Sequence, residues 1–108
     1  MQDMLDKILQ IEQRYKELGE TLSDPAVIQD YNKFRDLSKQ RKSMEETVKT
    51  YTEYKEAKDA IEEAHELLKG EKDPGMKEFL QGEISSNEAK IPALEEKMKV
   101  LLLPKTSL

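Results

Sequence analysis

The sequence predicts an all-α fold, an elongated antiparallel three-helix bundle or coiled coil with one long central helix. Three observations predict it. Residues 26–69 contain neither glycine nor proline and lie between Asp24-Pro25 and Lys69-Gly70. Met4, Ile8, Ile11, Tyr15, Leu18 and Leu22 recur with 4-3-4-3-4 spacing, the rhythm of a coiled-coil seam. Asp73-Pro74 then repeats the Asp-Pro pair.

The first helix is expected over residues 2–18, where the seam and an i,i+4 pair of Glu12 with Lys16 support it. Leu18-Gly19 reads as its stop and residues 19–24 as a connection. Asp24 supplies a side-chain oxygen for the free amides of the next helix, and Pro25 presets φ at its first position. The central helix is expected over 25–69 and closes at Gly70, where the chain is expected to turn left-handed. At 1.5 Å per residue the glycine-free stretch would be roughly 66 Å long.

Its apolar set is Val27, Tyr31, Phe34, Leu37, Met44, Val48, Tyr51, Tyr54, Ile61, Ala64 and Leu68. The seam weakens at Arg41, which takes an apolar position, and Ser38, Ser43, Thr47, Thr50 and Thr52 are mediocre helix formers. A bend or break is therefore expected, if anywhere, near residues 38–50.

The third helix is expected over 74–102, with Met76, Leu80, Ile84, Ile91, Leu94, Met98 and Leu101 inward. Gly82 costs about 1 kcal/mol against alanine in a helix interior. Pro92 leaves the carbonyl of Glu88 without its helical donor, which predicts a kink near residues 88–92. Short connections make successive helices antiparallel neighbours. The two short helices then flank opposite halves of the long one, with residues 19–24 and 70–73 as exposed tips suited to docking.

Composition narrows the function. Charged residues make up 38% and aromatics 6% of 108 residues, so a narrow seam can be buried but not a deep core with an enclosed pocket. The formal net charge of −5 argues against a general nucleic-acid clamp, whose affinity grows with the phosphates it neutralises. One basic cluster, Lys39-Gln40-Arg41-Lys42 with Lys33 and Arg35 upstream, reads in two ways. It is either a solvated face balanced by Asp30, Asp36, Glu45 and Glu46, or a local contact with phosphate or with the ribosome.

No cysteine is present, which excludes disulfides and thiolate sites and fits a reducing compartment. The longest apolar run, residues 100–103, is far short of a membrane span, and the chain reads as cytoplasmic. His65 in Glu-Ala-His-Glu-Leu lacks the second histidine of a zinc helix, having Lys69 at that place, and reads as a surface histidine. Tyr31, Tyr51 and Tyr54 read as seam residues with the hydroxyl at the water edge, not as a base-stacking platform. The glycines are scattered singly, and nothing sets two carboxylates apart as acid and base. No catalytic, cofactor or metal residue is assigned.

Three segments carry a resemblance. Arg14-Tyr15-Lys16-Glu17-Leu18-Gly19-Glu20-Thr21-Leu22-Ser23-Asp24-Pro25 resembles the first helix and turn of bacterial class I peptide chain release factors. Asp73-Pro74-Gly75-Met76 resembles the start of their third helix, and Val100-Leu101-Leu102-Leu103-Pro104-Lys105 the exit from their N-terminal domain. The Tyr-Lys-Glu-Leu-Gly form is similar to the branch that reads UAA and UAG. The similarity covers essentially the whole chain; Pro92 departs from the family's unbroken third helix.

The resemblance implies an N-terminal helical domain over residues 1–105, with 106–108 the start of a linker or a truncation point. The family's stop-codon tripeptide and Gly-Gly-Gln loop are absent from these residues. What the resemblance implies for this chain is docking: contact with the stalk base of the large ribosomal subunit and with the release-factor GTPase. Sequence-specific nucleic-acid reading and membrane contact are not expected. Candidate contacts are Gly19, Ser23, Asp24 and Pro25 at the first tip, and Lys39, Arg41 and Lys42 in the basic cluster. The rivals are a stand-alone helical coiled-coil adaptor, which would self-associate, and the tRNA-binding arm of a synthetase, which would carry a basic stripe.

Overall fold

A computed structural model describes residues 2–104. The described residues form four α-helices and no strand: α1 (Gln2–Thr21), α2 (Pro25–Gln29), α3 (Tyr31–Gly70) and α4 (Pro74–Leu101). The fold is an all-α bundle with a long central helix, α3. The exit at Lys105 and the tail at 106–108 lie outside the described residues.

Four helices replace the expected three because the long segment is interrupted at Asp30. That residue has extended backbone, with φ −94° and ψ 94°. Its N–H donates to the Val27 carbonyl (3.1 Å), closing α2, while its side-chain Oδ1 accepts from the Lys33 amide (3.2 Å), opening α3. Aspartate competes for backbone amides in this way and so favours caps over helix interiors. The break sets the register afresh, leaving Tyr31 75% exposed and Phe34 38% exposed rather than in the seam.

Asp24 and Asp73 both act as N-caps. Asp24 Oδ1 accepts from the Ala26 amide at 3.0 Å, and Asp73 Oδ2 from the Met76 amide at 2.8 Å. Gly19 is not a stop: α1 continues through it to Thr21. No glycine among the described residues has positive φ, so Gly70 ends α3 without a left-handed turn. The chain leaves through Glu71, whose amide bonds the Leu68 carbonyl and whose Oε1 accepts from the Lys72 and Asp73 amides.

The chain divides into two compact units. The first comprises Met1–Lys49 with Leu101–Leu108, the second Thr50–Val100. In the first, Ile8, Leu18 and Val27 are buried, with Ile11, Tyr15, Leu37 and Met44 half-buried around them. Each buried aliphatic side chain contributes roughly 1.5–3 kcal/mol by leaving water. In the second, Leu80 and Ile84 of α4 pack with Ala64 of α3, and Ile61 and Leu68 border them.

No break occurs near residues 38–50. Thr47 and Thr50 are buried there, so the poor intrinsic propensity of threonine is overridden by packing. Helix α4 likewise runs through Pro92 without interruption. Pro92 and Glu88 are both exposed, so the proline lies on the outer face of α4. The α4 seam reads 80-84-87-91-94-98-101, which adds buried Asn87 to the expected apolar set, while Met76 is exposed.

Candidate contact surface

The first tip is built by its own hydrogen bonds. As α1 ends, the Leu22 amide reaches the Leu18 carbonyl at 2.9 Å, and the Ser23 and Asp24 amides reach the Glu20 and Thr21 carbonyls, both at 3.1 Å. Ser23 Oγ donates to the Gly19 carbonyl at 3.1 Å. These bonds take up carbonyls that a helix end leaves without partners. Asp24 caps α2 and Pro25 occupies its first turn. Ser23, Asp24 and Pro25 are exposed and held in a defined turn.

The basic cluster divides. Arg41 points inward, its guanidinium carbon 3.7 Å from the centre of the Tyr15 ring and its Nε donating to the Tyr15 carbonyl at 3.0 Å. The planar fork of arginine allows it to stack and donate together, which a lysine ammonium cannot do. A Cβ at position 19 would lie 2.9 Å from an Arg41 terminal nitrogen, so glycine there leaves room for the guanidinium. The Tyr15-Lys16-Glu17-Leu18-Gly19 run therefore has a structural reason. Tyr15 supplies the ring and carbonyl, Leu18 the core side chain, and Gly19 the space.

Lys39 and Lys42 are exposed. Lys42 Nζ lies 2.9 Å from Glu45 Oε2. The hydrogen bond to Glu45 and then its negative charge raise the lysine above its ordinary pKa. Arg35 pairs with its neighbour Asp36 at 3.2 Å and lies 5.9 Å from the Tyr31 ring centre. The structure thus brings Gly19 and Arg41 together, joins Ser23 to Gly19 through one hydrogen bond, and leaves Lys39 and Lys42 on the outside of α3.

Two features escaped the sequence. Ile28, Tyr31 and Phe34 are exposed on either side of the α2–α3 break; a signal for that break was Asp30 three residues before Lys33, an N-cap without a proline after it. A groove between α3 and α4 in the second unit was also missed; its signal was the spacing of Ala57, Ala60 and Ala64 along one face. Among the described residues no group of three or more His, Asp or Glu side chains is placed to hold a metal. No helix among them is long and apolar enough to cross a membrane.

These features define an all-α helical domain. The chain belongs to the PCRF domain family, whose model matches residues 11–108. It is 47% identical over 102 residues to peptide chain release factor 1 of Chloroherpeton thalassium, covering 94% of this chain and 28% of that protein. It is 46% identical over 102 residues to peptide chain release factor 1 of Geobacillus kaustophilus, with coverage of 94% and 28%. With peptide chain release factor 1 of Bacillus anthracis it shares 41% over 102 residues, covering 94% and 29%. The chain spans less than a third of the length of these curated relatives. No solved structure matches it.

Proposed function

We propose that this chain is the N-terminal docking domain of a translation termination factor that directs peptide release at UAA and UAG codons in the cytoplasm. The observation that carries the reading is identity of 41–47% across 94% of the chain with proteins named peptide chain release factor 1. The domain contributes no chemistry. It holds the factor against the ribosome at the stalk base of the large subunit and is a contact for the release-factor GTPase.

The contacts are Gly19, Ser23, Asp24 and Pro25 at the first tip, and Lys39, Arg41 and Lys42 of the basic cluster. Lys39 and Lys42 meet phosphate directly, and Arg41 holds the tip against α3 so that both groups are presented together. The chain's overall net charge of −5 keeps it from gripping RNA nonspecifically.

The test is deletion of residues 1–105 from the intact factor, followed by ribosome binding and single-turnover peptide release. Weakened binding with release retained at saturating factor is expected. Complete loss of release at saturation would overturn the docking reading.

A further inference from the structure

We propose that the α3–α4 face of the second unit is a receptor groove for a basic, amphipathic helix of about four turns supplied by a protein partner. Two cavities, of about 640 and 200 Å³, share Ala60 and Glu83 and so form one continuous trough. On α3 the trough runs from Glu53 to Leu67, about 21 Å at 1.5 Å per residue, the length of a helix of roughly 14 residues. Its lining includes Ala57, Ala60 and Ala93, small side chains that let a third helix approach to the usual 8–10 Å between axes. At one end Leu67 and Phe79 are 55% and 59% exposed, apolar anchors with nothing packed over them.

Charge selects the occupant. The trough is lined by Glu53, Glu56, Glu63 and Glu83 against the single cation Lys90. The nearby lysines of α3 do not line it: Lys55 and Lys58 lie over the Tyr51 and Tyr54 rings. A second copy of this chain would set glutamates against glutamates, and RNA or an anionic bilayer would meet the same repulsion. A helix with leucine-like side chains on one face and lysine or arginine along its flanks fits both the floor and the rim.

Asn87 adds a register mark. It is 8% exposed and lines the trough; its Nδ2 donates to the Glu83 carbonyl at 2.8 Å. Its Oδ1 receives no hydrogen bond from the described residues. A polar residue at one seam position fixes helix register when its partner offers the complementary group. The incoming helix should therefore carry a donor at the middle of its apolar face.

The groove shares no residue with the proposed ribosome contacts, so either idea can fail alone. The test titrates the 108-residue chain with three synthetic 16-residue peptides, mapping binding by amide chemical shifts. One has leucines at seam positions, a central asparagine and flanking lysines; the second is the same composition scrambled; the third carries glutamates in place of the lysines. The first should bind at least tenfold more tightly than the others and shift Ala57, Ala60 and Phe79. The double variant Leu67→Ser/Phe79→Ser, at two exposed positions, should lose tenfold or more, and Asn87→Leu should switch preference from the first peptide to a fourth that differs from it only in having leucine for the central asparagine. Equal binding of the scrambled peptide, shifts outside the trough, undiminished affinity of the serine variant, an unchanged preference in Asn87→Leu, or dimerisation of the chain through this face would overturn the proposal.

Discussion

Arg41 stacks on the ring of Tyr15 and donates to the carbonyl of the same residue, at 3.7 Å to the ring centre and 3.0 Å to the oxygen. One side chain of α3 thereby fixes both the height and the rotation of α1 in the first unit. Substitution by methionine keeps the apolar stem but removes the charged hydrogen bond and the ring contact. It should destabilise the chain by about 2 kcal/mol in urea unfolding, since such bonds contribute about 1.5–3 and cation–π contacts about 0.5–1 kcal/mol. Arg41→Lys should recover less than half of that loss.

Gly19 and Arg41 should be energetically coupled. Alanine at position 19 gains about 1 kcal/mol of helix propensity but drives its Cβ against the guanidinium. In an Arg41→Met background the gain should appear in full, while in the parent it should be cancelled. A double-mutant cycle that returns zero coupling would show that the guanidinium moves aside freely.

Gly82 offers a contrasting case. Apart from its two chain neighbours and the nearby backbone of its own helix, no atom among the described residues lies within 4 Å of a Cβ built there, and the site is an exposed helix interior. Gly82→Ala should stabilise the chain by about 1 kcal/mol with no change in the rest of the amide spectrum.

Burial should separate Ile8 from its neighbour. Ile8 is 0% exposed and Leu9 46% exposed. Ile8→Ala should cost about 2–5 kcal/mol, and Leu9→Ala within about 0.5 kcal/mol of nothing. Urea midpoints at constant m-value are the measurement.

The Lys42–Glu45 pair should be visible by titration. Direct NMR observation of the Lys42 amine should place its pKa above the ordinary lysine range, and Glu45→Gln should return it. The sign follows from linkage. A lysine raised in the folded state adds stability while protonated, and that addition is lost as pH rises through the folded-state pKa. Salt should weaken the effect, because the pair is exposed.

What was legible in the sequence was what acts over a few residues. The caps at Asp24 and Asp73 could be read because a proline follows each at the first helical position. The α1 seam could be read because every member is aliphatic or aromatic. Asp30 was hidden because Val27, Tyr31 and Phe34 continue a plausible helical rhythm across it. Asn87 and Thr50 were hidden because a seam is sought among apolar side chains. Arg41 was noticed as an intrusion, but its partner lies 26 residues away and no local pattern names it. For the candidate contacts, outward charge at Lys39 and Lys42 was legible, while the inward commitment of Arg41 required tertiary structure.

Asp30 closes one helix and opens the next, so α3 starts with a phase of its own. Adding or removing a residue within the five of α2 would disturb the local packing of Val27 and leave every later side chain at its present angle. The same change after Tyr31 would rotate everything beyond it by about 100°, turning Arg41 away from Tyr15. The cap acts as a buffer against length variation. Insertions and deletions should therefore be better tolerated within α2 than soon after Tyr31.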